Sequence, residues 1–79
     1  VQLTSKEFDL LRVLVRNEGK VVSRERLMRD VWDTAWFGST KTLDMHISVL
    51  RRKLGDDAAQ PRYIRTVRGV GFRFDSRED

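Results

Sequence analysis

The chain has no cysteine, which excludes disulfide bridges and thiolate metal sites and suits a reducing compartment. It has one histidine, His46, and no second imidazole or thiol to share a transition metal with it, so a packing or hydrogen-bonding role is expected there. No apolar run approaches the roughly twenty residues of a membrane-spanning helix, and the N-terminus lacks the hydrophobic stretch of a signal peptide. A soluble intracellular protein with no membrane contact is predicted. Catalytic sets are missing too. Ser23 and Ser39 are wanted as helix caps, and Asp56-Asp57 falls in an open loop, so neither an activated nucleophile nor a pocketed carboxylate pair is in view. Gly69-Val70-Gly71 lacks the longer glycine fingerprint of a nucleotide loop and precedes a strand, so turn geometry accounts for it. No enzyme, no metal and no cofactor are expected.

What is present is a single small domain of 79 residues, with sixteen Lys and Arg against twelve Asp and Glu and a net charge of +4. Placement matters more than the total. Arg62, Arg65, Arg68 and Arg73 fall in a stretch without an acid, whereas Asp30 and Asp33 lie mid-chain and Glu78 and Asp79 at the end. The residues at 39–55, STKTLDMHISVLRRKLG, predict an amphipathic helix over 40–54. Leu43, Ile47, Leu50 and Leu54 form one stripe, and Lys41, Met45, Ser48 and Arg52 point the opposite way. Ser39 or Thr40 suits its cap, Gly55 its C′ position, and Arg51, Arg52 and Lys53 the negative end of its dipole. Its outer face has two cations and almost no acid. That is the dress of a helix approaching phosphates, and equally of a solvated face.

Residues 1–4 look extended and suggest the remnant of a strand. Thr4-Ser5-Lys6-Glu7 matches a capping box, and Phe8, Leu10, Leu11, Val13, Leu14 and Val15 predict a helix over 5–17 that is apolar around most of its girth, ended by Gly19. Ser23 is the expected N-cap of a second helix over 23–32, with Leu27, Met28, Val31 and Trp32 inward and Arg26 and Arg29 outward. Residues 33–39 join it to the third helix and are too long for a tight helix-turn-helix turn. Within them Trp36 and Phe37 either fold back on the domain or meet a partner. Pro61 closes a second loop, and residues 63–74 predict a β-hairpin turning at Arg68-Gly69-Val70-Gly71. Phe72 and Phe74 share its inner face. Ile64 and Val67 have opposite parity, so the first strand is expected to be bulged or buried on both faces. A helix with a cationic outer side and an arginine-bearing hairpin suit a duplex together, one in the major groove and the other beside it.

Ser23-Arg24-Glu25-Arg26-Leu27 with Val31-Trp32, then Thr42-Leu43-Asp44-Met45-His46-Ile47 with Leu50-Arg51-Arg52-Lys53-Leu54, then Thr66-Val67-Arg68-Gly69-Val70-Gly71-Phe72-Arg73-Phe74 together resemble the output domain of OmpR/PhoB-type response regulators. The resemblance runs from Leu3 to Phe74. It implies an α+β winged helix-turn-helix with a three-helix core and a C-terminal hairpin wing, lacking most of the family's N-terminal sheet. It further implies sequence-specific double-stranded DNA binding under a two-component system in the bacterial cytoplasm, with a receiver domain, a sensor kinase, and a dimer on direct-repeat promoter sites as partners.

By the same resemblance Lys41 and Thr42 open the helix against DNA; with the rest of its outward side, Lys41, Thr42, Met45, Ser48, Val49 and Arg52 are the candidates to face base edges. Arg24, Trp32, Arg51, Thr66 and Arg68 are candidates for the backbone or minor groove. Asp33, Thr34, Ala35, Trp36, Phe37 and Gly38 resemble the loop that meets RNA polymerase. Ser48 and Val49 stand where several relatives have arginines, so their base preference does not transfer. The alternative is a winged-helix protein-interaction module that uses Trp36 and Phe37.

Overall fold

Thr4 opens the first helix by the reciprocal bonding that a capping box requires. Its hydroxyl accepts from the Glu7 N–H at 3.2 Å, and Glu7 Oε1 accepts from the Thr4 N–H at 3.0 Å. The computed structural model describes residues 2–32, 41–56, 59 and 62–75. Within them the order is α1 (Ser5–Arg16), β1 (Val21–Ser23), α2 (Arg24–Trp32), α3 (Lys41–Leu54), β2 (Ile64–Val67) and β3 (Gly71–Phe74). The expected caps Ser39 and Thr40 lie outside the described residues, as do Val1 and 33–38.

One core joins all six elements. Leu10 and Leu14 enter it from α1, Leu27, Met28 and Val31 from α2, and Leu43, Ile47 and Leu50 from α3. Val22, Ile64, Phe72 and Phe74 close it from the sheet. Helix α3 ends in a Schellman motif: the Asp56 N–H donates to the Arg51 carbonyl at 2.8 Å and the Gly55 N–H to that of Arg52 at 3.2 Å.

Four expectations change. Residues 2–4 form no strand, because their backbone is used elsewhere: the Thr4 N–H is held by Glu7, and the Gln2 carbonyl accepts from Lys53 Nζ at 3.1 Å. Leu3 packs on the core edge instead. Helix α1 is not buried around its girth; Phe8 is 54% and Val15 43% exposed, since the described neighbours cover only the Leu10/Leu14 side. Val21–Ser23, where the sequence predicts no strand, pairs antiparallel to β3 and makes the sheet three-stranded in the order β1-β3-β2. Ser23 still caps α2, its Oγ accepting from the Arg26 N–H at 3.1 Å. Finally, β2 is neither bulged nor buried on both faces. It pairs regularly with β3 from Ile64↔Phe74 to Val67↔Gly71. The core ends beneath Ile64, so Thr66 on the same face is exposed.

The two wing glycines answer different needs. Gly69 has φ +74° in the turn closed by the Val70 N–H on the Val67 carbonyl at 3.0 Å, a backbone region that glycine enters without strain. At Gly71 the demand is space: a Cβ would fall on the Val22 carbonyl oxygen and within 2.8 Å of Ser23 Cα. Gly71→Ala is therefore expected to destabilise the domain by the upper end of the roughly 1–3 kcal/mol typical of overpacking, because backbone rather than a side chain must yield. Gly69→Ala, which meets open space, should cost only about 1–2 kcal/mol of left-handed strain. Urea midpoints of the two variants give the order.

Glu7 is the one buried charged residue among those described, and Lys53 Nζ reaches its Oε1 at 2.7 Å. The bond from Lys53, then that from the Thr4 amide, hold its carboxyl below the usual 4.5 against the opposing effect of burial. A depressed folded-state pKa means that the contribution is complete above 4.5 and disappears as pH falls through the lower folded value. Denaturant midpoints should therefore fall on acidification below 4.5, and Glu7→Gln should be less stable at neutral pH with a flatter acid limb.

Candidate nucleic-acid interface

Helix α3 divides cleanly. Leu43, Ile47 and Leu50 are buried, Lys41, Thr42, Met45, Ser48 and Arg52 are exposed, and Val49 is half-buried at the boundary. His46 is half-buried as well. Its Nδ1–H donates to the Thr42 carbonyl at 2.8 Å, and its ring meets that of Trp32 edge-on at 5.0 Å. Trp32 thus packs against the core and the inner shoulder of α3. No group of three or more His, Cys, Asp or Glu side chains placed to hold a metal occurs among the described residues.

Both ends of α3 are fastened to the wing. At its first turn, Asp44 Oδ1 lies 3.5 Å from Arg24 Nε; the Arg24 guanidinium rests 4.7 Å above the centre of the Phe72 ring, and the Arg24 N–H donates to the Val70 carbonyl at 3.2 Å. One residue at the head of α2 therefore touches α3, β3 and the wing turn together. At the last turn, Arg51 donates through Nε and Nη2 to the Ile64 carbonyl at 3.2 and 2.9 Å, and through Nη2 to Thr66 Oγ1 at 2.8 Å. Burial lowers the Arg51 pKa below that of a free guanidinium, and the Asp56 charge works the other way.

A second carboxylate sets where β2 begins. Asp56 accepts from the backbone N–H groups of Arg62 at 2.6 Å, Tyr63 at 3.2 Å and Ile64 at 2.9 Å. These bonds span six to eight residues. Asp56, expected in an open loop, thus orders the start of β2; nothing local marks an acid whose partners lie across the next loop. The role of Asp44 is equally hidden, since it depends on Arg24 coming from another helix.

The arginines of the hairpin are not equivalent. Arg65 and Arg73 face each other across the strands, and both bond Asp75 Oδ2, at 2.9 and 3.1 Å. One carboxylate relieves what would be like-charge repulsion between opposite residues. Arg62 lies 5.4 Å from the Tyr63 ring centre. Arg68 stands exposed in the turn and pairs with no acid among the described residues. Arg24 links the first turn of α3 to the wing turn, and Arg51 and Thr66 form a bonded pair between α3 and β2, while Lys41, Thr42, Met45, Ser48 and Arg52 on α3 and Arg68 in the turn are each exposed. The expectations for Asp33, Thr34, Ala35, Trp36, Phe37 and Gly38 lie outside the described residues.

A family model described as "Transcriptional regulatory protein, C terminal" matches residues 1–74. The chain belongs to this family. It is 46% identical over 76 residues to the sensory transduction protein RegX3 of Mycobacterium leprae, covering 96% of this chain and 38% of that protein. It is 41% identical over 75 residues to PhoP of Bacillus subtilis, the alkaline phosphatase synthesis transcriptional regulatory protein, covering 95% and 31%. Among solved structures, the Klebsiella pneumoniae RstA DNA-binding domain, crystallised in complex with the RstA box, superimposes with a TM-score of 0.92 at 34% identity, over 98% of this chain and 76% of that one. The chain thus spans about a third of the length of these two regulators. The winged-helix architecture of three helices and a small antiparallel sheet is that of these neighbours. No helix among the described residues is long and apolar enough to cross a membrane.

Removing the Asp56 carboxylate leaves three backbone donors without their partner. Asp56→Ala should lower stability by roughly 1–3 kcal/mol and speed amide exchange at Tyr63 and Ile64. Arg68→Ala, at an exposed turn position, should stay within about 0.5 kcal/mol of the parent. Chemical denaturation paired with hydrogen exchange separates the two.

Proposed function

We propose that this chain is the DNA-binding output domain of an OmpR/PhoB-type response regulator, which controls transcription by binding specific double-stranded sites. The observation that carries the reading is the junction at Arg24, where the exposed side of α3 and the wing turn adjoin with Arg68 and Arg52 outward. A duplex offers that arrangement a major groove for the helix and neighbouring phosphates and minor groove for the turn. Support also comes from the relatives, named as transcriptional regulators, and from the RstA domain's co-crystallisation with a DNA box.

In this reading Lys41, Thr42, Met45, Ser48, Val49 and Arg52 face base edges. Arg24 and Arg68 meet phosphates or the minor groove, and Trp32 borders the backbone. Arg51 and Thr66 enter as a bonded pair, so Arg51 positions the wing as much as it supplies charge. The whole protein works in the cytoplasm, takes its signal from a sensor kinase through a receiver domain, and dimerises on direct repeats. The loop from Asp33 to Gly38 meets RNA polymerase. Binding rather than catalysis is the role. The protein-interaction alternative draws no support from the relatives.

Binding should depend steeply on salt. With about four to six phosphates neutralised per monomer, log K against log salt concentration should slope near −4 to −5. Arg68→Ala should reduce that slope by about 1 and flatten preference in the base pairs flanking the major-groove site. Fluorescence anisotropy across a salt series measures both; a salt-independent affinity would refute the reading.

A further inference from the structure

We infer that the middle of the α3 surface reads thymine through its C5-methyl group, with Met45 as the specificity-determining side chain. The inference rests on the DNA-binding reading above and adds the base class that the helix selects. Met45 is 58% exposed, more than Phe8 or Val70, and it projects from the side of α3 opposite Leu43, Ile47 and Leu50. A single exposed apolar residue is ordinary. Its surroundings are what decide here.

On a helix, Met45 neighbours Lys41 at i−4, Thr42 at i−3, Ser48 at i+3 and Val49 at i+4. The flanking cations Lys41 and Arg52 stand eleven positions apart, about 16 Å along the axis, so the two central turns expose no guanidinium or ammonium to pair with guanine. They expose no Asn or Gln to pair with adenine either. Asp44 has the chemistry to accept from the cytosine amino group, but its carboxylate is engaged by Arg24 at 3.5 Å. Apart from the short Thr42 and Ser48 hydroxyls and the half-buried His46 ring, the chemistry left at the centre is apolar contact, and in the major groove only thymine offers a methyl for it. Val49 is half-buried and presents less of itself, whereas the unbranched Met45 side chain has the reach and adaptability to cover a methyl. The predicted half-site therefore has A·T pairs at its centre, with the thymine on the strand facing Met45.

The test begins with a site selected from a random duplex pool. It is then remade with thymine replaced by deoxyuridine one position at a time, which deletes only the methyl. One or two central positions per half-site should lose about fourfold in affinity, the factor expected for one buried methyl-sized group. Met45→Ala should weaken the thymine duplex by a similar factor and become indifferent to the deoxyuridine exchange. Because Met45 is exposed and alanine favours helix, that variant should keep its melting temperature. A deoxyuridine series that is flat while salt-dependent binding persists would overturn this inference alone. Met45→Ala that retains the full methyl sensitivity would overturn it equally. Absence of salt-dependent binding to any duplex would remove the DNA-binding reading and this inference with it.

Discussion

Strand β3 lies between strands drawn from distant parts of the chain, with Val21–Ser23 on one side and Ile64–Val67 on the other. The close approach at Gly71, where the Val22 carbonyl fills the space of a side chain, sets how near the two ends come. Because β1 runs straight into α2, the pairing also fixes the head of that helix. The Gly19 N–H on the Phe74 carbonyl at 2.9 Å and the Arg24 N–H on the Val70 carbonyl extend the seam at either end. The wing is thus the far edge of a sheet that the N-terminal half of the domain helps to build, and its turn cannot move independently of α2. A rigidly held turn suits recognition, since groups already placed need not be ordered when a partner arrives.

The cations divide into those that hold the fold and those left to the surface. Lys53 neutralises buried Glu7, Lys6 Nζ caps the Val31 carbonyl at 2.9 Å, Arg51 ties α3 to β2, and Arg65 and Arg73 share Asp75. Arg24 is intermediate, half-buried against Phe72 and Asp44 but at the edge of the surface that α3 and the turn make. A count of positive residues would overstate the electrostatic footprint, because a cation whose hydrogen bonds are satisfied inside the fold has fewer donors to offer outside it. The proposed interface accordingly depends on few charges, each mounted on an element with both ends fixed.

Local signals in the sequence carried most of the architecture. The capping box at Thr4 and Glu7, the α3 stripe of Leu43, Ile47 and Leu50, the Gly55 terminus and the inward pair Phe72 and Phe74 were all legible, because each needs only neighbours within a turn or two of chain. The exposed face of α3 was legible for the same reason: when the apolar stripe is known, helical geometry leaves the other side to solvent or a partner. The resemblance to a known family supplied the function class, which periodicity alone left open between two readings.

What the chain did not reveal locally were the elements defined by remote partners. Val21–Ser23 is three residues long, and a segment so short is a strand only because β3 lies beside it. Asp56 resembles any loop acid until the start of β2 comes within bonding distance, and Arg51 and Thr66 resemble two independent surface groups until the wing folds back to α3. Sequence by itself determined the helices, their buried sides and the inner face of the hairpin, since those follow from the fixed 3.6- and 2-residue periods of the backbone. Only the tertiary structure decided which arginines are consumed within the fold and which stand on the surface, because pairing a charge depends on distances between residues that no local rule relates.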